Sequence, residues 1–182
     1  MSNVTALIAW LRAAPPDVPI EQTGATAMLA AISGHPVSAV MQSRGPRELT
    51  QRERRLLQSN DTITGHERRG ALYAGTIPAA ATTAVLLPSR LPAAVRATLG
   101  IGPDGEAFPG AGNVPLGRAL SGLGARREPL RVKCTPGDRD GAGRELVLRS
   151  AARLWLGHPV GIVTERVYRE FLDAFPAGGR VL

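Results

Sequence analysis

The segment whose reading decides the fold is ERRGALYAGTIPAAATTAVLL, residues 67–87. Glu67 to Ala74 and Ala80 to Leu87 are two extended candidates, and Gly75-Thr76-Ile77-Pro78 between them is a turn signal of hairpin length. The segment predicts an antiparallel pair. Arg68 and Arg69 stand near the start of its first strand. Adjacent strand residues point to opposite faces, so at most one of them enters an interior pocket.

Upstream, Pro36 to Ser43 alternates Val37, Ala39 and Met41 with Ser38 and Gln42, the pattern of a half-buried strand. It follows a predicted helix over Thr23 to Ile32 with a stop at Gly34. Further back, Val4, Leu7, Ile8 and Leu11 give Asn3 to Ala13 helical spacing, ended by Pro15-Pro16. Leu49 to Gln58 is charged and predicts a short surface helix or connection.

Downstream, Pro88 to Leu99 predicts a helix with Ser89 as cap and Pro92 in its first turn. Gly100 to Gly112 carries Gly102, Pro103, Gly105, Pro109 and Gly110, which makes it a long loop and a candidate lid. Leu116 to Leu123 reads as a short helix. Glu128 to Cys134, Glu145 to Leu156 and Val160 to Val167 read as strands, with turns at Asp138 to Gly143 and Gly157-His158-Pro159. Helices lie mostly between strand pairs without strict alternation. That pattern favours an α+β fold, a single antiparallel sheet of about six strands with helices packed on it.

At 182 residues the chain suits one core, and one domain over residues 1–182 is expected. With 43% hydrophobic and 20% charged residues and a mean hydropathy of −0.03, it has the composition of soluble globular proteins. No apolar run approaches membrane-spanning length and Met1 to Arg12 lacks the marks of a secretory signal, so a cytoplasmic protein without a membrane partner is expected. Cys134 is the single cysteine, and His35, His66 and His158 lack ligand spacing, so no metal is expected. Lys133 is the only lysine in a chain of net charge +7, and the arginines are spread along its length. Scattered charge and 4% aromatic residues argue against a nucleic-acid partner. Anionic small molecules are weakly favoured.

No phosphate-cradling loop, dinucleotide fingerprint or nucleophile elbow is present, so no cofactor is expected. Gly110-Ala111-Gly112 and Gly141-Ala142-Gly143 read as flexible turns. Pro115-Leu116-Gly117-Arg118 reads from spacing alone as a helix start. Amides at such a start are free to bind a carboxylate, and Gly117 lets a ligand approach. Thr164-Glu165 ends the apolar run Val160-Gly161-Ile162-Val163. An inward-facing Glu165 would need a proton, a hydroxyl or an arginine as partner; an outward one is solvated.

These segments, taken in order, resemble the chorismate pyruvate-lyase family, the enzymes that release pyruvate from chorismate to give 4-hydroxybenzoate. Pro115-Leu116-Gly117-Arg118-Ala119-Leu120 is similar to the family's PLGR-x-L segment. Gly157-His158-Pro159 leading to Thr164-Glu165 is similar to its G-x-P and T-E stretch. Thr23 to Met41 resembles the early helix, turn and strand, and Arg68 to Pro88 the arginine-bearing hairpin. The resemblance covers most of the chain and implies a chorismate lyase-like fold with a buried ligand pocket under flaps, acting without a cofactor.

It implies as catalytic residues Glu165 and Arg68, and as substrate-binding residues Arg68 or its rival Arg69, Leu116, Gly117 and Thr26. The substrate would be chorismate or a similar aromatic carboxylate, gripped by the arginine and by exposed amides. Glu165 would then protonate the departing group. Two departures are the alanine-rich hairpin and Thr26, where the best-known members carry methionine. They motivate a second reading, the same fold acting on a related aromatic or enol acid in secondary metabolism. A third is a non-catalytic hydroxybenzoate-binding protein, since the same fold serves as the sensor domain of GntR-type regulators. Such regulators need a DNA-reading domain before the sensor, for which this chain has no room, and the expectation is therefore an enzyme.

Overall fold

A computed structural model describes residues 3–13, 18–109 and 111–176. Pro15-Pro16 and Gly110, singled out above, lie outside the described residues. The elements run α1 (Asn3–Ala13), α2 (Ile20–Thr23), α3 (Ala25–Ser33), β1 (Val37–Glu48), α4 (Gln51–Leu56), β2 (Thr64–Ala74) and β3 (Ile77–Leu86). After a single 3-10 turn at Pro88–Arg90 come α5 (Ala93–Leu99), α6 (Leu116–Ala119), β4 (Arg126–Cys134), β5 (Leu146–Trp155), β6 (Pro159–Tyr168) and α7 (Arg169–Ala174).

The six strands form one antiparallel sheet in the order β1-β2-β3-β6-β5-β4. Two three-stranded meanders therefore meet where β3 pairs with β6, along Ala80↔Val167 to Leu86↔Gly161. The α+β class and the strand count agree with the expectation. Several elements differ from it. The expected helix over Pro88 to Leu99 divides into a 3-10 turn and α5, whose N-cap is Pro92 and not Ser89, and α7 is additional. β1 continues through Arg44 to Glu48, past a register shift between Met41 and Ser43; it is an edge strand, where Pro46 needs no ladder donor. The hairpin turn is only Gly75-Thr76, Gly75 taking φ 60°, and Pro78 sits in β3 beside a register shift at Leu72/Tyr73. α6 ends at Ala119, and Gly122 and Gly124 both adopt positive φ just beyond it.

The inner face of the sheet carries two apolar lobes. The first packs Leu7, Leu11, Met28, Leu29 and Phe171 from α1, α3 and α7 on Leu72, Leu148 and Val167. The second packs Val95, Leu99, Ile101 and Leu120 on Leu86, Leu154 and Val163. On the outer face a small cluster of Leu49, Leu57, Val85 and Leu87 lies beside α4. Thr50 caps α4, accepting from the Glu53 amide while the Glu53 carboxylate accepts from the Thr50 amide. No helix among the described residues is long and apolar enough to cross a membrane.

Candidate functional site

Strand alternation sends Arg68 to the inner face and Arg69 to the outer. Arg68 is 3% exposed. Arg69 points away from the cavity and pairs with Glu67 at 2.7 Å. The rivalry left open between them is thus decided by the pleat, and Arg69 leaves the set of pocket residues.

Arg68 reaches a cavity of about 40 Å³ between the two lobes. Thr26, Leu116, Gly117 and Glu165 line the same cavity, along with apolar walls from Ala39, Met41, Leu72, Ala84 and Val163. The sheet therefore brings five of the six sequence-predicted residues to one enclosure. The volume holds a few waters, so an aromatic ring enters only if the walls move. Although β3 is rich in alanine, side chains from β1, β2 and the helices close over the site.

The Arg68 guanidinium has no carboxylate within ion-pair distance among the described residues. Its Nη2 donates to the carbonyls of Gly112 at 2.5 Å and Val114 at 3.1 Å, and its buried Nε has no acceptor. Burial, with a further contribution from the like charge of Arg44, pushes its pKa down to about 10. Arg44 is its cross-strand partner, and Arg44 Nη1 is also buried without an acceptor. Two like charges directly opposite each other in a sheet disfavour the fold. An anion between them would reverse that sign.

Glu165, 5% exposed, is held at the other end. Its Oε2 accepts from Arg127 Nη2 at 2.9 Å and, in a short hydrogen bond, from the Ser150 hydroxyl. Its partner is thus both an arginine and a hydroxyl. Strand register sets this up, since Ser150 and Thr82 are the two cross-strand neighbours of Glu165. Arg127 is 1% exposed, lines the cavity, and keeps Nε and Nη1 without acceptors.

Sequence reasoning missed Arg127 because it began β4 two residues late, at Glu128. The available signal was Arg126-Arg127-Glu128 entering a strand, where alternation must send one of two adjacent arginines inward. Leu116 and Gly117 open α6 after Pro115. The next two amides, of Arg118 and Ala119, bond back to Pro115 O, whereas those of Leu116 and Gly117 meet no acceptor among the described residues. A Cβ built on Gly117 would come no closer than 4.0 Å to the protein, to Ile20 Cγ1. Glycine there leaves space on the cavity side and is not required by packing. Among the described residues no group of three His, Cys, Asp or Glu side chains is arranged to hold a metal ion.

No protein-family model matches the sequence, and no curated protein matches it. Solved structures do. The effector domain of PhnF from Mycobacterium smegmatis superposes with a TM-score of 0.56 at 12% identity, over 83% of this chain and 91% of that one. Full-length PhnF gives 0.58 at 10% identity, over 83% of this chain and 66% of that one. The ligand-binding domain of a Bordetella bronchiseptica regulator assigned to the GntR family gives 0.53 at 13% identity, over 80% and 90%. At such identities the likeness establishes the fold, which this chain shares with the effector domains of GntR-family regulators.

Proposed function

We propose that this chain is a small-molecule sensor domain that takes an organic anion, a hydroxybenzoate-like aromatic carboxylate, into the cavity between its two lobes. The observation that carries the reading is Arg68, a guanidinium 3% exposed with an unpartnered Nε and no counter-ion. A buried charge left unpaired is costly, and a ligand carboxylate removes that cost with charge-assisted hydrogen bonds. The free amides of Leu116 and Gly117 supply a second set of donors for the carboxylate, and Thr26 adds a polar wall. The length argument that favoured an enzyme carries no weight beside an effector domain of which the chain covers 91%.

Thermal unfolding with 4-hydroxybenzoate tests this. A saturable rise in Tm that vanishes in Arg68→Ala and is partly kept in Arg68→Lys is expected. No rise with any of a panel of aromatic carboxylates would refute it.

A second reading, chorismate lyase, is favoured by one observation, the presence of Glu165 in the same cavity as Arg68. Arg127 and Ser150 already occupy its Oε2, so a proton for the departing enolpyruvyl group would have to come from Oε1. Purified protein incubated with chorismate decides it. Release of pyruvate and 4-hydroxybenzoate no faster than without protein removes the enzymatic reading and leaves the sensor reading standing.

A further inference from the structure

The outer face of the sheet gathers cations that are dispersed in sequence. Lys133 stands opposite Arg149, and Arg149 opposite Arg166, a continuous row over β4, β5 and β6. Arg131 lies two residues along on the same face, opposite Ala151. Arg131, Lys133 and Arg149 border a groove of about 490 Å³ between the sheet and α4, to which Arg52 also contributes, and Arg166 extends the row beside it.

Like charges placed directly opposite each other oppose folding, so the row is a standing cost. Nearby carboxylates do not relieve it. Glu53 and Glu67 are taken by Arg47, at 2.6 and 2.8 Å, and Glu128 by Arg153 at 2.6 Å. Among the described residues none of Arg131, Lys133, Arg149 and Arg166 forms an ion pair, and Asp138 is the one remaining carboxylate of the groove.

We infer that this face binds the phosphate backbone of duplex DNA without reading its bases. Neighbouring strands are about 4.8 Å apart, so the row presents three cations within roughly 10 Å. That spacing suits the dense charge of a duplex. Thr164 adds a hydroxyl of the kind that holds phosphate oxygens, whereas the Thr50 hydroxyl is taken by Glu53. No aromatic side chain lines the groove, which removes the stacking that single strands require. A second copy of the same face would be repelled.

The test is fluorescence anisotropy of the full chain with a labelled mixed-sequence duplex of about 20 base pairs. Four phosphate contacts predict an affinity that falls about 100-fold between 50 and 200 mM salt, and a scrambled duplex should bind equally. Lys133→Gln, Arg149→Gln and Arg166→Gln together should flatten the salt slope from about −3.6 to about −1. The triple variant relieves repulsion, so its Tm should not fall; Arg149→Gln alone, which should lower the slope by about 1, serves if it does. Arg12→Gln, Arg118→Gln and Arg169→Gln change net charge equally away from the row and should leave most of the binding. Overturning results are no retention at 50 mM salt, an equal loss in the second triple, or displacement of the duplex by polyglutamate at matched charge. The ligand-binding reading survives any of these, because Arg68 is on the opposite face.

Discussion

At the scale of single residues the site is a balance of buried charges, and its two arginines are not equivalent. Arg127 is compensated by Glu165, while Arg68 is left with two loop carbonyls. Breaking a buried pair by removing one partner costs about 3–5 kcal/mol, whereas replacing both by apolar groups is far milder. Arg127→Met should therefore destabilise strongly, and Arg127→Met with Glu165→Leu should recover most of the loss in urea melts. A milder double variant sets the pair apart from Arg68, which has no carboxylate partner among the described residues to be removed with it. Glu165, Leu116 and Gly117 sit in segments with a distinct local pattern, whereas Thr26 was named only through the family resemblance; all four line the cavity. Arg127 was not legible in either way. Burial of an arginine depends on a strand two positions away in the sheet, on β6, whose glutamate needs it, and no spacing rule along the chain encodes that pairing.

At the scale of elements, the glycine-rich loop after α5 is tied to the edge of the sheet by three contacts. His66 Nδ1 lies 2.6 Å from the Gly105 carbonyl, the Met41 amide donates to Asn113 Oδ1 at 3.2 Å, and Arg68 holds Gly112 and Val114. His66 must donate from Nδ1, leaving Nε2 buried without a partner. Burial first, and the nearby charges of Arg68 and Arg44 after it, hold its pKa below 6.5, although the Gly105 bond opposes them. A histidine with a depressed folded pKa adds stability that is fully present above its unfolded pKa and is lost as pH falls below about 6.5 toward the folded value. Tm should accordingly decline as pH falls below about 6.5, starting above most carboxylate titrations, and His66→Gln should flatten the decline. Gly112 makes the same loop intolerant of side chains. Its φ is 89°, and a Cβ would run into the Leu99 carbonyl and the Arg44 guanidinium. Gly112→Ala should cost about 1–3 kcal/mol and weaken ligand binding together, measured as Tm with and without 4-hydroxybenzoate. The loop's existence was legible from its glycines and prolines. Its attachment was not, since the anchors are a histidine and an arginine of β2 that nothing local marks as partners of residues some forty positions on. Among regular elements, β2 and β3 followed from the turn signal between two extended stretches, and β5 and β6 from the turn at Gly157-His158-Pro159. β1 ran further than expected because an edge strand tolerates the polar run Arg44-Gly45-Pro46-Arg47, and α7 escaped notice because only Phe171 and Leu172 in it are buried.

At the scale of the whole molecule, the cavity lies on the seam between two apolar lobes that share no buried residue. Arg68 and Ala84 wall it from β2 and β3, Glu165 from β6, and Leu116 and Gly117 from the loop side, so a bound anion touches both meanders at once. Such a ligand adds contacts across the seam, where polar groups now interrupt the packing. It also competes with Gly112 and Val114 for the Arg68 guanidinium, since those carbonyls hold the hydrogen bonds that a carboxylate would take. The two effects have opposite signs and different locations. Amide hydrogen exchange with and without saturating 4-hydroxybenzoate separates them: protection should rise in β2, β3 and β6 around the seam and fall, or fail to rise, over residues 111–114. Uniform protection that includes this segment would mean that the ligand closes the loop without displacing its carbonyls. Under the proposed sensor reading, a second element must respond to occupancy, and a loop released from Arg68 by an arriving anion would supply one through a single shared donor.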